Sequence, residues 1–499
     1  MRKLLLGVDA GQTVTKAVLF DATGRQVARG SVKVPLTSPR PCWVERDMDE
    51  VWRAAQLAVR RCLAEAGPAA GRQVAAVGLS GHNDGLYAVD ARHAPVRAAV
   101  VAMDTRAHTV LDGWRDTPVW PRALARSGQV PFAASPAAVL AWLHRHEPAA
   151  LERSRWLMFC KDWLRLKLTG EVATDPTEAS ASFTDVHTHA YSPELLELYG
   201  LGELAGKLPP VLPCDAVAGH VTAEAAAATG LTAGTPVVTG AHDVDAAALG
   251  IGGIAPGDLT LIAGTFSVSQ VVSNRVVTDP RWQVRNFLRP RQWMTMSTSP
   301  AAVAALEWFL RVVEVPTGPA ESVYDVIARE VGAHLAGPSE VLFHPFLYGS
   351  PHGRPASGTF LGLRGWHTRG HLLRALLEGV VLNHRWHVDA LSSALPVTGV
   401  TRLTGGAARS GVWAQMFADA LDRPVEVPHV EESAARGAAL LAATAVGLLG
   451  GIDDARALGT AGRCHEPDAG RVAVLGEAYQ VYLTAVEALG PVWERLGAD

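Results

Sequence analysis

Lysine is scarce in this 499-residue chain: only six stand against 39 arginines. The imbalance reads as genomic codon bias, and it makes each remaining lysine worth locating. Cysteine is scarce as well. Five residues (Cys42, Cys62, Cys160, Cys214, Cys464) lie far apart with no C-x-x-C pair. That excludes a disulfide framework and a cysteine zinc site, and fits a reducing, cytoplasmic setting. Charge of one sign is missing too. The formal net charge is −4 with no basic block, which argues against an electrostatic nucleic-acid binder. Long apolar runs are absent where a membrane would need them. The uncharged Ala- and Gly-rich stretch from Gly437 to Ile452 is short of the ~18–20 residues of a span and reads as a buried helix. The opening apolar run ends at Asp9, too early for a signal peptide. No P-loop, no repeat of 20–50 residues and no low-complexity linker occur.

What is present is a large supply of core. Hydrophobic residues make up 48% of the chain and charged residues 19%, enough for two large domains or three smaller ones. The pattern starts with strands at Leu4–Val8, Thr15–Phe20 and Gln26–Val34, joined by Gly-containing turns. A helical period over Asp47–Ala66 precedes a buried strand at Val74–Leu79. Further short strands are expected at Leu86–Asp90 and Ala98–Met103, and helices at Pro136–His146 and Cys160–Leu168. A second unit begins near Thr235 with the strand Pro236–Thr239. The helix Asp243–Leu249 and the strands Leu259–Ala263 and Ser267–Val272 follow. Then come the helices Ala301–Val313 and His371–Leu391, the strand Val400–Leu403, and the helices Gly411–Leu421 and Ala434–Leu449. Both units open on a strand, a Gly/Thr turn and a strand, the mark of an α/β fold with mixed sheets.

Four segments carry chemistry. In Gly7-Val-Asp9-Ala-Gly11-Gln12-Thr13-Val-Thr15-Lys16 the turn can aim backbone N–H groups at a phosphate. Asp9 can hold Mg²⁺ through water, and Lys16 can neutralise phosphate charge; an ordinary hairpin turn with a solvated lysine is the alternative. In Thr239-Gly-Ala-His242-Asp243-Val-Asp245, Asp243 ends an apolar strand, where α/β proteins place ligands. Three readings stay open for it: a helix N-cap, a base in phosphoryl transfer, or part of a metal cluster with His242 and Asp245. Gly264-Thr265-Phe-Ser267 is a second hydroxyl-bearing turn. Gly405-Gly406-Ala407-Ala-Arg409-Ser410 follows a strand and allows a flat base to approach the backbone. Gly250-Ile-Gly252-Gly-Ile-Ala255 lacks the strand–turn–helix context of a dinucleotide fingerprint. His384 and His387 read as a packed or surface pair rather than a metal site.

Taken in order, these segments resemble the FGGY family of carbohydrate kinases, of the actin/hexokinase-like superfamily, over roughly Leu4 to Leu449. Asp9 to Lys16 is similar to the first phosphate motif. Trp43-Val-Glu45-Arg-Asp47 is similar to a pentulose-kinase segment. His82-Asn83-Asp84-Gly85 and Met103-Asp104-Thr-Arg106 fall where the sugar-contact loops lie, and Lys161-Asp162-Trp-Leu matches another stretch. Gly240-Ala-His-Asp243 matches the segment of the catalytic base, Gly264-Thr265-Phe-Ser267 the second phosphate motif, and Gly405 to Ser410 with Gly437-Ala-Ala the adenosine motif.

The resemblance implies two RNase H-like α/β domains with an interdomain cleft, divided as residues 1–240 for the sugar and 241–499 for the nucleotide. It implies ATP and Mg²⁺ as cofactors and a small sugar or polyol as partner, with no nucleic acid or membrane; assembly is left open up to a homodimer. Asp243 would be catalytic and contact sugar with His82, Asn83, Asp84 and Asp104. Asp9 and Asp243 would face the metal. Thr13, Lys16, Gly264, Thr265, Ser267, Gly405, Gly406, Ala407 and Ser410 would hold the nucleotide.

Departures bear on the substrate. Gln12 stands where Thr is usual, and Ala102 where Trp is common. Glycerol kinases carry Arg-Glu at positions 83 and 84, and D-xylulose kinases Met-His, so both of those substrates are disfavoured. The remaining pattern leans towards L-xylulose, erythritol and related polyols. Asp84 is expected to accept two vicinal hydroxyls and to repel a carboxylate. A non-catalytic nucleotide-binding regulator on the same fold, or a hydrolase using a metal at His242, Asp243 and Asp245, are the rivals. The last fifty or so residues carry no assignment.

Overall fold

In the computed structural model, which describes residues 3–264, 266–314, 322–353, 356–458 and 462–496, the chain forms two compact α/β units. The first gathers Met1–Ile254, Asn274–Met294 and Glu432–Thr460; the second gathers Ala255–Ser273, Thr295–Glu431 and Ala461–Asp499.

The sheet of the first unit starts as an antiparallel meander of Leu4–Ala10, Val14–Phe20 and Gln26–Lys33. The helix Met48–Ala66 then carries the chain over to Val74–Gly81, which lies parallel to Leu4–Ala10. That helix begins where Asp47 caps it by accepting from the Glu50 N–H, and it turns Met48, Val51, Trp52, Ala55, Val59 and Cys62 inward at helical spacing. The strand order is Gln26–Lys33, Val14–Phe20, Leu4–Ala10, Val74–Gly81, Pro236–Val238, Val217–His220, with the short strand Ala241–His242 also beside Val74–Gly81. Leu4–Ala10 and Val74–Gly81 are apolar on both faces because both are covered.

One cover is the helix Ser433–Ala445, which returns to the first unit late in the chain. A Cβ on Gly7 would overlap the Ala435 carbonyl, one on Gly78 the Ala438 carbonyl, and one on Gly437 the Ala246 carbonyl. Glycine at these positions lets backbone rest on backbone, so Gly437 and the alanines around it are packing residues of the first unit.

In the second unit Leu259–Ala263 pairs antiparallel with Ser267–Ser273 and parallel with Thr401–Gly405. The order Trp293–Ser299, Ser267–Ser273, Leu259–Ala263, Thr401–Gly405, Val425–Pro428, Gly462–His465 repeats the plan of the first unit: two strands of a meander, then a parallel neighbour. His384 and His387, on the helix Arg369–Ser392, are buried and bonded to Ser269, Ser297 and Ser299. The unassigned tail is structured. Gly462–His465 adds an antiparallel edge to Val425–Pro428, and Ala469–Arg495 is a 27-residue helix capped by Asp468. Its Tyr479, Tyr482, Val486 and Trp493 join Phe346 and Leu382 in a core cluster. Among the described residues no helix is long and apolar enough to cross a membrane.

Candidate active site

Strand register builds the centre of the first unit. Asp9 lies beside Ser80, its partner on the parallel neighbour, and Gly81 lies beside His242 on the next strand. Asp243 follows at once as the first residue of the helix Asp243–Gly250. Strands are spaced about 4.8 Å apart, so Asp9 and Asp243 stand two strands apart at the carboxyl-end edge of one sheet, Asp243 two residues beyond the level of Asp9. This is where open α/β sheets present ligand-binding groups.

The electrostatics follow from that placement. Burial and then the charge of Asp243 raise the Asp9 carboxyl to about 6, against the partial relief of Lys16 and a hydrogen bond from the Ser80 hydroxyl. His242 forms 3.2 Å and 3.1 Å ion pairs, through Nε2 with Asp243 and through Nδ1 with Asp245. Burial alone would push its proton off, but hydrogen bonds to the two carboxylates hold it charged, up to about 10. His242 bonds Asp243 from one ring nitrogen and Asp245 from the other, an arrangement that accounts for all three side chains without a metal. The N-cap reading fails, because the N-cap position belongs to His242. Among the described residues no group of three His, Cys, Asp or Glu side chains is arranged to hold a metal unaided.

The start of this helix is held from behind. The His242 N–H donates to Thr177 Oγ1 at 2.8 Å, and that hydroxyl donates to Asp175. Asp175 pairs in turn with the fully buried Lys161, which also meets Asp162 at 2.9 Å. Lys161, noted in sequence only as part of a motif, is thus a buried cation, held charged against the burial penalty by Asp162 and Asp175.

The remaining candidates fall into place unevenly. Lys16 pairs with Glu432 at 2.7 Å. Thr13 sits exposed in the turn that the Gly11 N–H closes on the Val14 carbonyl. His82 is buried and lowered to about 3 by burial and then by Arg46; its ring faces the Tyr87 hydroxyl at 3.3 Å. Asn83 is buried and accepts from the Asp84 N–H. Both oxygens of Asp104 are occupied, by the side chain and N–H of Arg106 and by the Val44 N–H. Arg106 stacks 3.9 Å over the Trp43 ring and pairs with Glu45. The Trp43–Glu45 and Asp104–Arg106 motifs are therefore one network. Asp84 carries a partner the sequence gave no sign of: Arg285, from the strand Gln283–Asn286, at 3.0 Å. Its carboxylate is thus paired with a buried guanidinium.

In the second unit Ala263 and Gly405 are register partners, so the turns beginning at Gly264 and Gly405 leave neighbouring strand ends. Thr265 lies outside the described residues. The Gly264 carbonyl accepts from the Val303 N–H, and Ser267 is tied to the Ala301 carbonyl and to Asn383. Gly405 has φ +95°, and a Cβ there would press on the Ala263 carbonyl, which is why glycine stands at this turn. Ala407 is buried, and Ser410 caps the helix Gly411–Leu421 by accepting from the Trp413 N–H. The tail buttresses that helix, since Asp419 accepts from the Asp468 N–H and from Gln415.

Comparison with known proteins agrees with this layout. Residues 4–250 match the N-terminal domain model, and residues 259–446 the C-terminal domain model, of the FGGY family of carbohydrate kinases. The L-xylulose/3-keto-L-gulonate kinase of Escherichia coli (strain K12) is 32% identical over 494 residues, covering 98% of each chain. The erythritol kinase of Brucella abortus (strain 2308) is 30% identical over 99% of this chain and 98% of its own. The crystal structure of xylulose kinase from Rhodospirillum rubrum superposes with a TM-score of 0.88 at 31% identity, over 99% of this chain and 100% of the other.

Proposed function

The chain belongs to the FGGY family of carbohydrate kinases, and from that premise we propose that it transfers the γ-phosphate of ATP to a terminal hydroxyl of a ketopentose or a small polyol. L-xylulose-like and erythritol-like acceptors are favoured. The observation that carries the reading is the register that pairs Asp9 with Ser80 and Ser80 with Ala241, with Asp243 following two residues later where that strand passes into its helix.

Asp243 is the group positioned to accept the proton of the attacking hydroxyl. Its carboxylate is steered by His242, which Asp245 anchors from the other side. His82, Asn83 and Asp84 form the acceptor loop, and Asp104 belongs to a neighbouring network with Arg106, Glu45 and Trp43. Thr13 and Lys16 border the phosphate turn of the first unit. In the second unit Gly264, Thr265 and Ser267 serve the phosphates, and Gly405, Gly406, Ala407 and Ser410 the nucleoside.

Asp9 fits a divalent cation, because a carboxyl whose proton affinity is raised by burial and by the charge of Asp243 gains from a nearby positive charge. The lack of a complete protein ligand set suits Mg²⁺, which keeps waters and phosphate oxygens. When bound, Mg²⁺ would neutralise charge on the transferring phosphoryl group. Such transfer asks mainly for positioning and charge neutralisation, so the sparse site is sufficient.

The test is an ADP-release screen across pentuloses, tetritols, pentitols, hexuloses and glycerol, with Asp243→Ala as control. Turnover on a ketopentose or tetritol that vanishes in the variant supports the reading. No turnover with any acceptor refutes it in favour of a regulator, and ATP hydrolysis that no acceptor stimulates refutes it in favour of an ATPase.

A further inference from the structure

Asp84 is held more firmly than a loop residue needs to be. Its backbone is left-handed, at φ +65°, and Gly85 follows at φ +77°. Asp tolerates that region better than most residues, but at a cost. Asn83 helps by accepting from the Asp84 N–H through its own side chain, and the Gly85 N–H is tied to the Ala134 carbonyl at 2.8 Å. The remaining restraint comes from 201 positions away in sequence: Arg285 Nη2 donates to Asp84 Oδ1 at 3.0 Å and to Oδ2 at 3.4 Å.

Arg285 is itself built in. It is 1% exposed, and Gln283 Oε1 accepts from its Nε at 3.1 Å and its Nη2 at 2.8 Å. The segment that carries it is pinned to the first unit at three points. The Val284 N–H donates to the Gly128 carbonyl, the Asn286 side chain to Thr184, and the Trp293 indole to the Val186 carbonyl. Arg285 Nη1 is buried and has no partner. A buried guanidinium N–H left unpaired is costly unless something else occupies it. The charge of Arg285 is also felt by Asp245, which holds His242, so the pair lies within electrostatic reach of the groups beside Asp243.

We propose that Arg285 is a positioning and specificity-determining residue of the acceptor site: it orients Asp84 towards the substrate's hydroxyls and offers its free Nη1 donor to a substrate oxygen. This rests on the kinase reading above. Paired with Arg285, Asp84 discriminates by geometry rather than by charge, so an acidic ketose is not turned away on charge alone.

The test is steady-state kinetics of the full chain with the best acceptor from the screen, for Arg285→Gln, Arg285→Lys, Asp84→Asn and the double variant Asp84→Asn/Arg285→Gln. Arg285→Gln is expected to raise the acceptor KM at least tenfold while leaving the ATP KM within twofold. Arg285→Lys should recover part of that loss, since it restores the charge without the fork. The double variant should be no worse than the poorer single one, because both remove one interaction. Gln283→Leu, which frees Arg285 without removing it, should raise the acceptor KM more modestly and serves if Arg285→Gln does not fold. An unchanged acceptor KM in the Arg285 and Gln283 variants overturns the proposal. So does an equal rise in both KM values with a lowered melting temperature, which marks a structural residue. Failure of the kinase reading would look different, as absent turnover in the unaltered protein.

Discussion

Replacing Asp9 with Asn should make the metal-free protein more stable at neutral pH while abolishing turnover. Asp9 is an acid whose folded-state pKa is raised from 3.8 to about 6, by burial and then by Asp243. The folded state therefore holds the proton more tightly than the unfolded chain does. Stability drawn from this group is fully present below about pH 4 and is lost as pH rises through about 6. At about 1.4 kcal/mol per pKa unit, the loss is at most about 3 kcal/mol. Asn keeps the shape and can still accept from Ser80, but it has no proton to lose. The useful quantity is the difference in stability between Asp9→Asn and the unaltered chain, followed from pH 4 to pH 8. All groups that do not interact with Asp9 cancel from it. The difference should move in favour of the variant by up to about 3 kcal/mol across that window, read as a relative melting-temperature gain of at most roughly 5 °C. The assay is thermal unfolding in matched buffers with excess chelator. Added Mg²⁺ and ATP should shrink the difference by stabilising the unaltered chain alone. A difference that stays flat with pH would show that Asp9 is neither strained by burial nor by Asp243, and the argument for a cation at that carboxylate would go with it.

Three further outcomes follow from particular contacts. Asp243→Ala should lower kcat at least a hundredfold, in the range expected for loss of a general base, with ATP binding by calorimetry retained; lost binding would make Asp243 a nucleotide residue instead. Gly437→Ala should cost about 1–3 kcal/mol, because the added methyl meets the Ala246 backbone and one of the two must shift. Chemical denaturation checks this, and a cost below about 1 kcal/mol would contradict the packing. Trp493→Ala should cost about 3–5 kcal/mol, since Trp493 is 2% exposed in the cluster with Phe346 and Tyr482. An unchanged melting temperature would mean that the C-terminal helix is not part of the core.

Local signals in the chain were strong wherever residues next to each other in sequence also act next to each other. The hairpin at Leu4–Phe20, the helix Pro136–His146 and the paired strands on either side of Gly264 appear in the structure within a residue or two of their expected bounds. Their apolar periods and turn glycines state the fold locally. Asp9 and Asp243 stood out because each ends an apolar run, and the sheet brings both to its carboxyl-end edge. What stayed hidden depends on distant partners. Nothing near Arg285 marks it among 39 arginines, since its meaning comes from Asp84, 201 positions earlier. Gly437 reads as one small residue in an Ala-rich helix until Ala246 is seen to lie against it. The tail was opaque for the same reason. The Ala469–Arg495 helix buries only scattered residues, Leu475, Ala478, Tyr479, Tyr482, Val486 and Trp493, along 27 positions and contains Pro491. Its apolar stripe is thin and irregular because the surface it covers is built from residues more than eighty positions upstream, among them Phe346 and Leu382. An amphipathic signal records how a helix meets its neighbours, and here those neighbours are set by the fold rather than by the segment. The same logic separates the two halves of the acceptor loop. His82 and Asn83 announce themselves by sequence position, whereas the direction in which Asp84 points is decided by a strand from elsewhere in the chain.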